Sequence, residues 1–448
     1  MSTMLELIND LWFLQRDLVS DDFDRALARL ASEWDEHAAQ LGGQPMHIHT
    51  YPSGTRCWTW RVPEKWICET AYLETLDGQR ILDFANNPLH VISYSLPYEG
   101  IVPRAELLQH LHVHPRLPDA IPFVFKYYER DWGLCLPQTL RDTLNDPAYR
   151  VVIRTRFEPG LLKVGEIVIP GETEQSFVLV SHLCHPAMVN DDLTGVVVTL
   201  ETARRLLSGP RPHYTYRFLI LPETIGSVAY LSHNEQLIPT MVGGLFLEML
   251  GNASPHSLQG SMQPDSQPDR VLRAALPDLD PQASLGAYRT VINNDERQFN
   301  APGVRVPMLS LSRVEPQGSP TRPYREYHSS FDTPAIISQE RLQESLTVTL
   351  GLLQAWEENQ YPVNDFKGEI FCSGYGIWVD YRVNPDGHRR LFEIMERCDG
   401  EHTLADIANE LGISFGTVRS VVQQLADHQL VHFSRRPIIT DPHRLQKS

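Results

Sequence analysis

Residues 176–195 read SFVLVSHLCHPAMVNDDLTG. An apolar, β-branched run ends at His182. A loop bearing Cys184, His185, Asp191 and Asp192 follows, and Gly195 stands in the first turn of the helical run TGVVVTLETARRLL, residues 194–207. A short apolar run reads as a buried strand, and apolar spacing of three to four residues reads as a helix. The unit is therefore strand, loop, helix. It recurs as strand-like YRVVIRTRF (149–157) and YTYRFLILP (214–222), helical SVAYLSHNEQLI (227–238) and strand-like VGGLFLEML (242–250). Such alternation predicts an α/β domain with a mostly parallel sheet.

Outward from this core, residues 4–40 carry helical spacing in two pieces, LELINDLWFLQRDL and FDRALARLASEW. From Met46 the chain turns rich in aromatic and β-branched residues, predicting an inserted β-rich domain. Its Trp58, Trp60 and Trp66 read as core residues rather than a substrate platform. Residues 252–287, heavy in Pro, Ser, Gln and Asp, read as a long surface insertion with a short helix. ISQERLQESLTVTLGLLQAWEEN (337–359) then closes the domain as an amphipathic helix stopped by Pro362. Beyond it lie three short helical runs, with Thr403 and Ser414 as N-caps, Gly412 between the last two, and a β-like VHFSRRPII. This is helix-turn-helix spacing with a wing. The expected domains are 1–45 (N-terminal helices), 46–145 (β-rich insertion), 146–362 (catalytic) and 363–448 (winged helix).

The net charge of −17 over 448 residues argues against broad binding to nucleic acid or anionic lipid. Residues 365–448 carry 10 Lys/Arg against 12 Asp/Glu, too few cations for a phosphate-binding face. The winged helix is thus expected to pack or dimerise, giving a homo-oligomer, rather than to hold DNA. No stretch suits a membrane helix. The N-terminus lacks a secretory signal, and six scattered cysteines without CxxC pairs suit a reducing compartment. The expected location is cytoplasmic.

In open α/β sheets, active groups gather at the carboxyl ends of the strands. His182 ends one strand, Glu223 follows another, Glu248 ends a third, and EYHSSFDTP (326–334) offers His328 in a turn before the last helix. Imidazoles with carboxylates suit a zinc ion that keeps a position open for water.

In this order the residues resemble the M28-type metallo-aminopeptidases. The motifs are His182, Asp191 four residues before Gly195, Glu223, Glu248, NNDERQF with Asp295, and His328 in YHSSFDTP. Together with WTWRVP, SHLCHP and PETIGS they resemble the bacterial aminopeptidase-like branch that carries an inserted β domain and a C-terminal winged helix. The resemblance implies a zinc-peptidase core (phosphorylase/hydrolase-like) and hydrolysis of the N-terminal residue of a short peptide or amino-acid amide. Metal would be held by His182, Asp191, Glu248 and His328, with Glu223 as general base. Asp295 would steady a network behind the substrate, and Tyr327 and Arg325 would hold an oxyanion or a substrate carboxylate. Two departures stand out. Thr224 replaces a second acidic ligand, which favours one zinc and leaves a second site weak. Cys184 replaces an acidic residue that orients the first histidine, and its neighbour His185 is either a ligand, a supporting group or a turn residue. Two other functions share these residues: a metal-dependent amidohydrolase or deacylase on a non-peptide substrate, and a non-catalytic peptidase fold with a regulatory winged helix.

Overall fold

The computed structural model describes residues 2–438, so residue 1 of the first expected domain and residues 439–448 of the last lie outside it. The chain forms two compact units: Met1–Met262 with Gly286–Leu346, and Gln263–Leu285 with Thr347–Ser448.

The larger unit is organised by seven strands of one sheet. Their order is His47–Pro52, Leu161–Ile169, Thr215–Leu221, Ser176–His182, Met241–Glu248, Met308–Arg313 and His256–Gln259. The four strands from Thr215–Leu221 to Met308–Arg313 run parallel, while the strands flanking them pair antiparallel. The fold is therefore α/β with a mixed sheet whose centre is parallel. Every residue of Ser176–His182 is buried, as expected of a parallel strand covered on both faces. The helix Leu193–Ser208 packs on this strand, and the helices Met4–Leu11 and Asp21–Leu41 pack on that helix. A Cβ on Gly195 would lie 2.3 Å from the Leu247 carbonyl. Only glycine lets the helix start press so closely on the strand that ends at Glu248.

The first helical run is shorter than its spacing suggests. Thr3 and Glu6 form a capping box, and the helix ends at Leu11. The following stretch leaves the helix because Arg16 is drawn into the interior, where it is fully buried.

The β-rich insertion forms a four-stranded antiparallel sheet, Arg80–Asp83, Lys65–Glu74, Ala148–Glu158 and Tyr98–Pro103. Its limits differ from 46–145. His47–Pro52 belongs to the large sheet, whereas Ala148–Glu158 pairs within the insertion. Both strands alternate in hydrophobicity, so composition alone does not say which sheet each one joins. Trp66 is core, its Nε1 donating to the Ser95 carbonyl at 3.0 Å. Trp60 is not: it stays 37% exposed. Trp58 is half-buried and donates from Nε1 to Glu235.

In the second unit, Leu404–Leu411 and Phe415–Asp427 make the helix-turn-helix, capped by Thr403 and Ser414, with Gly412 at φ +61° between them. The wing strand Val431–Ser434 pairs antiparallel with Tyr361–Asn364. The stretch 252–287 is not a surface insertion. Its first part supplies the strand His256–Gln259 of the large sheet, and its helix Gln267–Leu279 packs on both helices of the helix-turn-helix. Pro and Gln mark this segment as irregular, yet Ser266 caps the helix and Val271, Leu272 and Leu276 bury one face. No helix among the described residues is long and apolar enough to cross a membrane.

Candidate metal centre

The candidate site lies wholly in the larger unit, at the carboxyl ends of the parallel strands. His182 is the last residue of its strand and Glu248 of its neighbour, and Glu223 follows Thr215–Leu221 by two positions. The loop 183–192 brings in His185 and Asp191. His328 arrives on the loop before the helix Gln339–Glu358.

Asp191 is the centre of the arrangement. Its Oδ1 lies 3.1 Å from His182 Nε2, and its Oδ2 lies 3.1 Å from His328 Nε2 and 3.9 Å from His185 Nε2. Glu248 Oε2 stands 3.6 Å from His182 Nε2. Two sets of donor atoms share Asp191: His182, Asp191 and Glu248 on one side and His185, Asp191 and His328 on the other, each within 4.8 Å; a third set, His182, Cys184 and His185, does not include it. Ligands of a tetrahedral zinc at about 2.0–2.1 Å sit roughly 3.3 Å apart, so these separations suit a cation between them. His182 Nε2 is buried and makes no aligned hydrogen bond among the described residues, although two carboxylates face it. That is the state of a ligand atom aimed at a common point rather than at a hydrogen-bond partner.

The electrostatics agree. Burial works against the Asp191 carboxylate, but His185, His182 and His328 hold its pKa well below the ordinary value. Burial pushes Glu248 up to about 7 and His185 down to about 4. Burial also opposes charge on His182, yet Asp191, Cys184 and Glu248 raise its pKa well above the usual imidazole value. A neutral imidazole is what a metal needs, and His185 is held in that form at neutral pH. The clustered carboxylates supply the negative charge that draws positive charge to their centre.

The sequence leaves the role of His185 open and, because of Thr224, favours a single metal. The structure places His185 on the second oxygen of Asp191 beside His328, so a second set of three donors is present without a carboxylate at position 224. Thr224 is turned elsewhere: its amide donates to Asp295 Oδ1 at 2.9 Å. Cys184 stands beside the first histidine, with Sγ 3.9 Å from His182 Nδ1 and 3.6 Å from His185 Nδ1, and it accepts from the Glu223 amide at 3.1 Å.

Glu223 is the one acidic member that keeps access to solvent. Its side chain is 26% exposed and its Oε2 lies 3.6 Å from His185 Nε2. Asp295 does not border open space. It is fully buried, lifted to about 6 by burial with Glu223 adding repulsion, and it fixes the backbone after Glu223. Its neighbour Asn294 donates to Glu248 Oε2 at 2.7 Å. Tyr327 stacks on His328 with ring centroids 3.9 Å apart, while Arg325 is an exposed residue two positions earlier.

Three supports are not apparent from spacing. Asp332, in the same turn as His328, accepts from the amides of Val189, Asn190 and Asp191 and from the Tyr324 hydroxyl. Arg16 donates to the carbonyls of Leu183, His185 and Met188. Phe123 of the insertion meets His328 edge-on at 5.3 Å and His185 at 4.9 Å, and its amide donates to the His328 carbonyl. The loop conformation needs such anchors, because His185, Ala187, Thr224, Met249 and His328 all have positive φ, which is costly for residues with a Cβ. Arg16→Met is therefore expected to cost at least about 3 kcal/mol of stability, since several buried carbonyls lose a charged donor. Thermal unfolding will read that loss, and metal affinity will fall with it.

Residues 5–359 match the family model of a domain of unknown function, DUF4910, and residues 390–435 match the IclR helix-turn-helix domain. A curated relative from Clostridium acetobutylicum is 32% identical over 85% of this chain and 87% of its own length. It is named "Putative polysaccharide biosynthesis protein with aminopeptidase-like domain". A crystal structure of a "putative peptidase" from the same organism superposes with a TM-score of 0.83 at 29% identity, over 96% of each chain. At lower identity the fold is that of M28-type zinc aminopeptidases. The Bacillus subtilis zinc aminopeptidase BSAP covers 78% of this chain and 93% of its own, at 15% identity and a TM-score of 0.57.

Proposed function

The chain belongs to the DUF4910 family and its fold is similar to that of M28-type peptidases, and we propose that it is a zinc-dependent aminopeptidase acting on short peptides or amino-acid amides. One observation carries this reading: Asp191 stands between two imidazole-bearing donor sets, with Glu223 on the accessible side. His182, Asp191 and Glu248 would hold one ion, and His185, Asp191 and His328 a second. Zinc bound there would supply Lewis-acid polarisation of a carbonyl and a lowered pKa for water.

The chain's own residues do the rest. Glu223 takes the proton of the attacking water and returns it to the departing nitrogen, work that needs a carboxylate within hydrogen-bond reach of the reacting atoms. Asp295 and Cys184 fix the backbone on either side of that carboxylate and act as positioning residues. Phe123 and Tyr327 cover His328 and limit water around the imidazoles. The insertion then restricts the site to short, free N-termini. The winged helix, with its net charge of −2 over 365–448, serves packing or self-association in a cytoplasmic homo-oligomer rather than DNA binding.

A second reading has its own support in the Clostridium relative named for polysaccharide biosynthesis. It keeps the centre and assigns an N-acyl group on a sugar or amino acid as substrate. The deciding experiment is metal analysis of the purified protein, with aminoacyl amides and N-acyl compounds assayed side by side before and after chelation. The aminopeptidase reading expects zinc, turnover of the amides alone, and loss of that turnover on chelation with recovery when zinc returns. Turnover confined to N-acyl compounds would select the second reading.

A further inference from the structure

Beside Glu223 the larger unit holds an open cavity of about 420 Å³. Its walls are mainly aromatic and apolar, Trp60, Phe125, Tyr127 and Tyr128 from the insertion with Leu18 and Ile225, and two carboxylates, Glu129 and Glu223, also line it. Three of these rings remain exposed, Trp60 at 37%, Phe125 at 44% and Tyr128 at 52%. Exposed aromatic rings around a concavity beside a reactive group are what a ligand site needs and what a folded core does not.

The cavity has two cationic residues, and they differ. Lys126 is committed to Asp131 at 2.8 Å and Glu129 at 3.5 Å. Arg297, from the DERQF motif, touches only neutral oxygens: Nε donates to the Asn294 carbonyl at 2.8 Å and Nη2 to Thr224 Oγ1 at 3.4 Å. No carboxylate pairs with it among the described residues. Those two bonds fix the plane of the guanidinium next to the backbone that carries Glu223 and leave its remaining N–H groups unused. A planar, preoriented guanidinium is suited to grip a carboxylate with two parallel hydrogen bonds.

We propose that Arg297 anchors a carboxylate of the substrate, and that the aromatic cavity receives the apolar or aromatic residue bearing it. The proposal rests on the aminopeptidase reading for one point only, that this residue belongs to the departing side of the scissile bond. The preferred substrate is then a dipeptide with a free carboxyl terminus and a bulky second residue. Arg297, rather than the exposed Arg325, takes the carboxylate. Thr224 has a use of its own here: where a second acidic residue would neutralise Arg297, its hydroxyl only orients the guanidinium.

The test separates binding from turnover. By calorimetry on the full-length protein, N-acetyl-L-phenylalanine is expected to bind at least tenfold more tightly than N-acetyl-L-phenylalaninamide. Arg297→Met should abolish that preference, and Arg297→Lys should keep part of it. Equal binding of acid and amide by the unaltered protein overturns the proposal, as does a preference that survives in Arg297→Met, which would put the carboxylate elsewhere. Circular dichroism and melting of both variants confirm that each is folded. In turnover, Leu-Phe should exceed Leu-Phe-amide in kcat/KM by a similar factor. Leu-Glu-amide tests whether an acidic side chain serves in place of the terminal carboxylate. Should acid binding depend on Arg297 while no amide bond is cleaved, the anchor stands and the aminopeptidase reading falls. Cleavage indifferent to the carboxylate leaves the aminopeptidase reading standing and removes the anchor.

Discussion

Glu223→Gln is expected to lower kcat by about 10²- to 10⁴-fold, the range for loss of a positioned general base, while zinc content stays as in the unaltered protein. The two measurements belong together. Glu223 lies outside both donor sets of the candidate centre, so the amide should not weaken the hold on metal. It keeps the size of the side chain and its neighbours, and removes only the ability to accept a proton. Because the side chain is 26% exposed and its contact with His185 is a 3.6 Å approach rather than a buried pair, folding should change little. Thermal unfolding within a few degrees of the parent checks this. A variant that loses zinc in proportion to activity would move Glu223 from general base to ligand. Unchanged turnover would remove the hydrolytic mechanism proposed for it.

How far the sequence reveals this site depends on the kind of interaction involved. His182, Glu223 and Glu248 are legible because each follows an apolar strand, and strand ends in a parallel sheet share one edge. Asp191 and Gly195 are legible as a spacing whose cause is steric: the helix start presses so hard on Leu247 that no Cβ fits. His328 is legible through its motif. By contrast Arg16 lies more than 160 residues before the carbonyls it holds, and its surroundings read as an ordinary amphipathic helix. Nothing local marks a cation that will be fully buried. The role of His185 depends on a backbone at φ +100°, a conformation that spacing does not encode, so Thr224 suggests a gap that the fold fills from another loop. The tryptophans show the same limit. Trp66 lies in a long paired strand, whereas Trp60 sits in a two-residue strand with little around it to bury the ring. Residue type is the same, and context decides.

The second large effect separates the two donor sets. Asp191→Ala is expected to strip the protein of zinc and to abolish turnover. It removes the one group shared by both sets, Oδ1 facing His182 and Oδ2 facing His328 and His185. His185→Ala should behave differently. It touches only the second set, leaving His182, Asp191 and Glu248 intact, so zinc per chain should fall from two toward one. Turnover should fall with it by an order of magnitude or more, in the range seen when a metal's immediate surroundings are disturbed. Because His185 also approaches Glu223 Oε2, an activity loss alone would not separate a ligand from a neighbour of the base, and metal stoichiometry does. Two zinc ions per chain in the parent and one in His185→Ala would mark this histidine as the replacement for the acidic ligand absent at Thr224. One ion in both proteins would confine the metal to His182, Asp191 and Glu248 and leave His185 as a neutral partner of the base. When zinc is added back to His185→Ala at rising concentration, the second equivalent should return at higher zinc than in the parent, because Asp191 and His328 still offer two of its three donors.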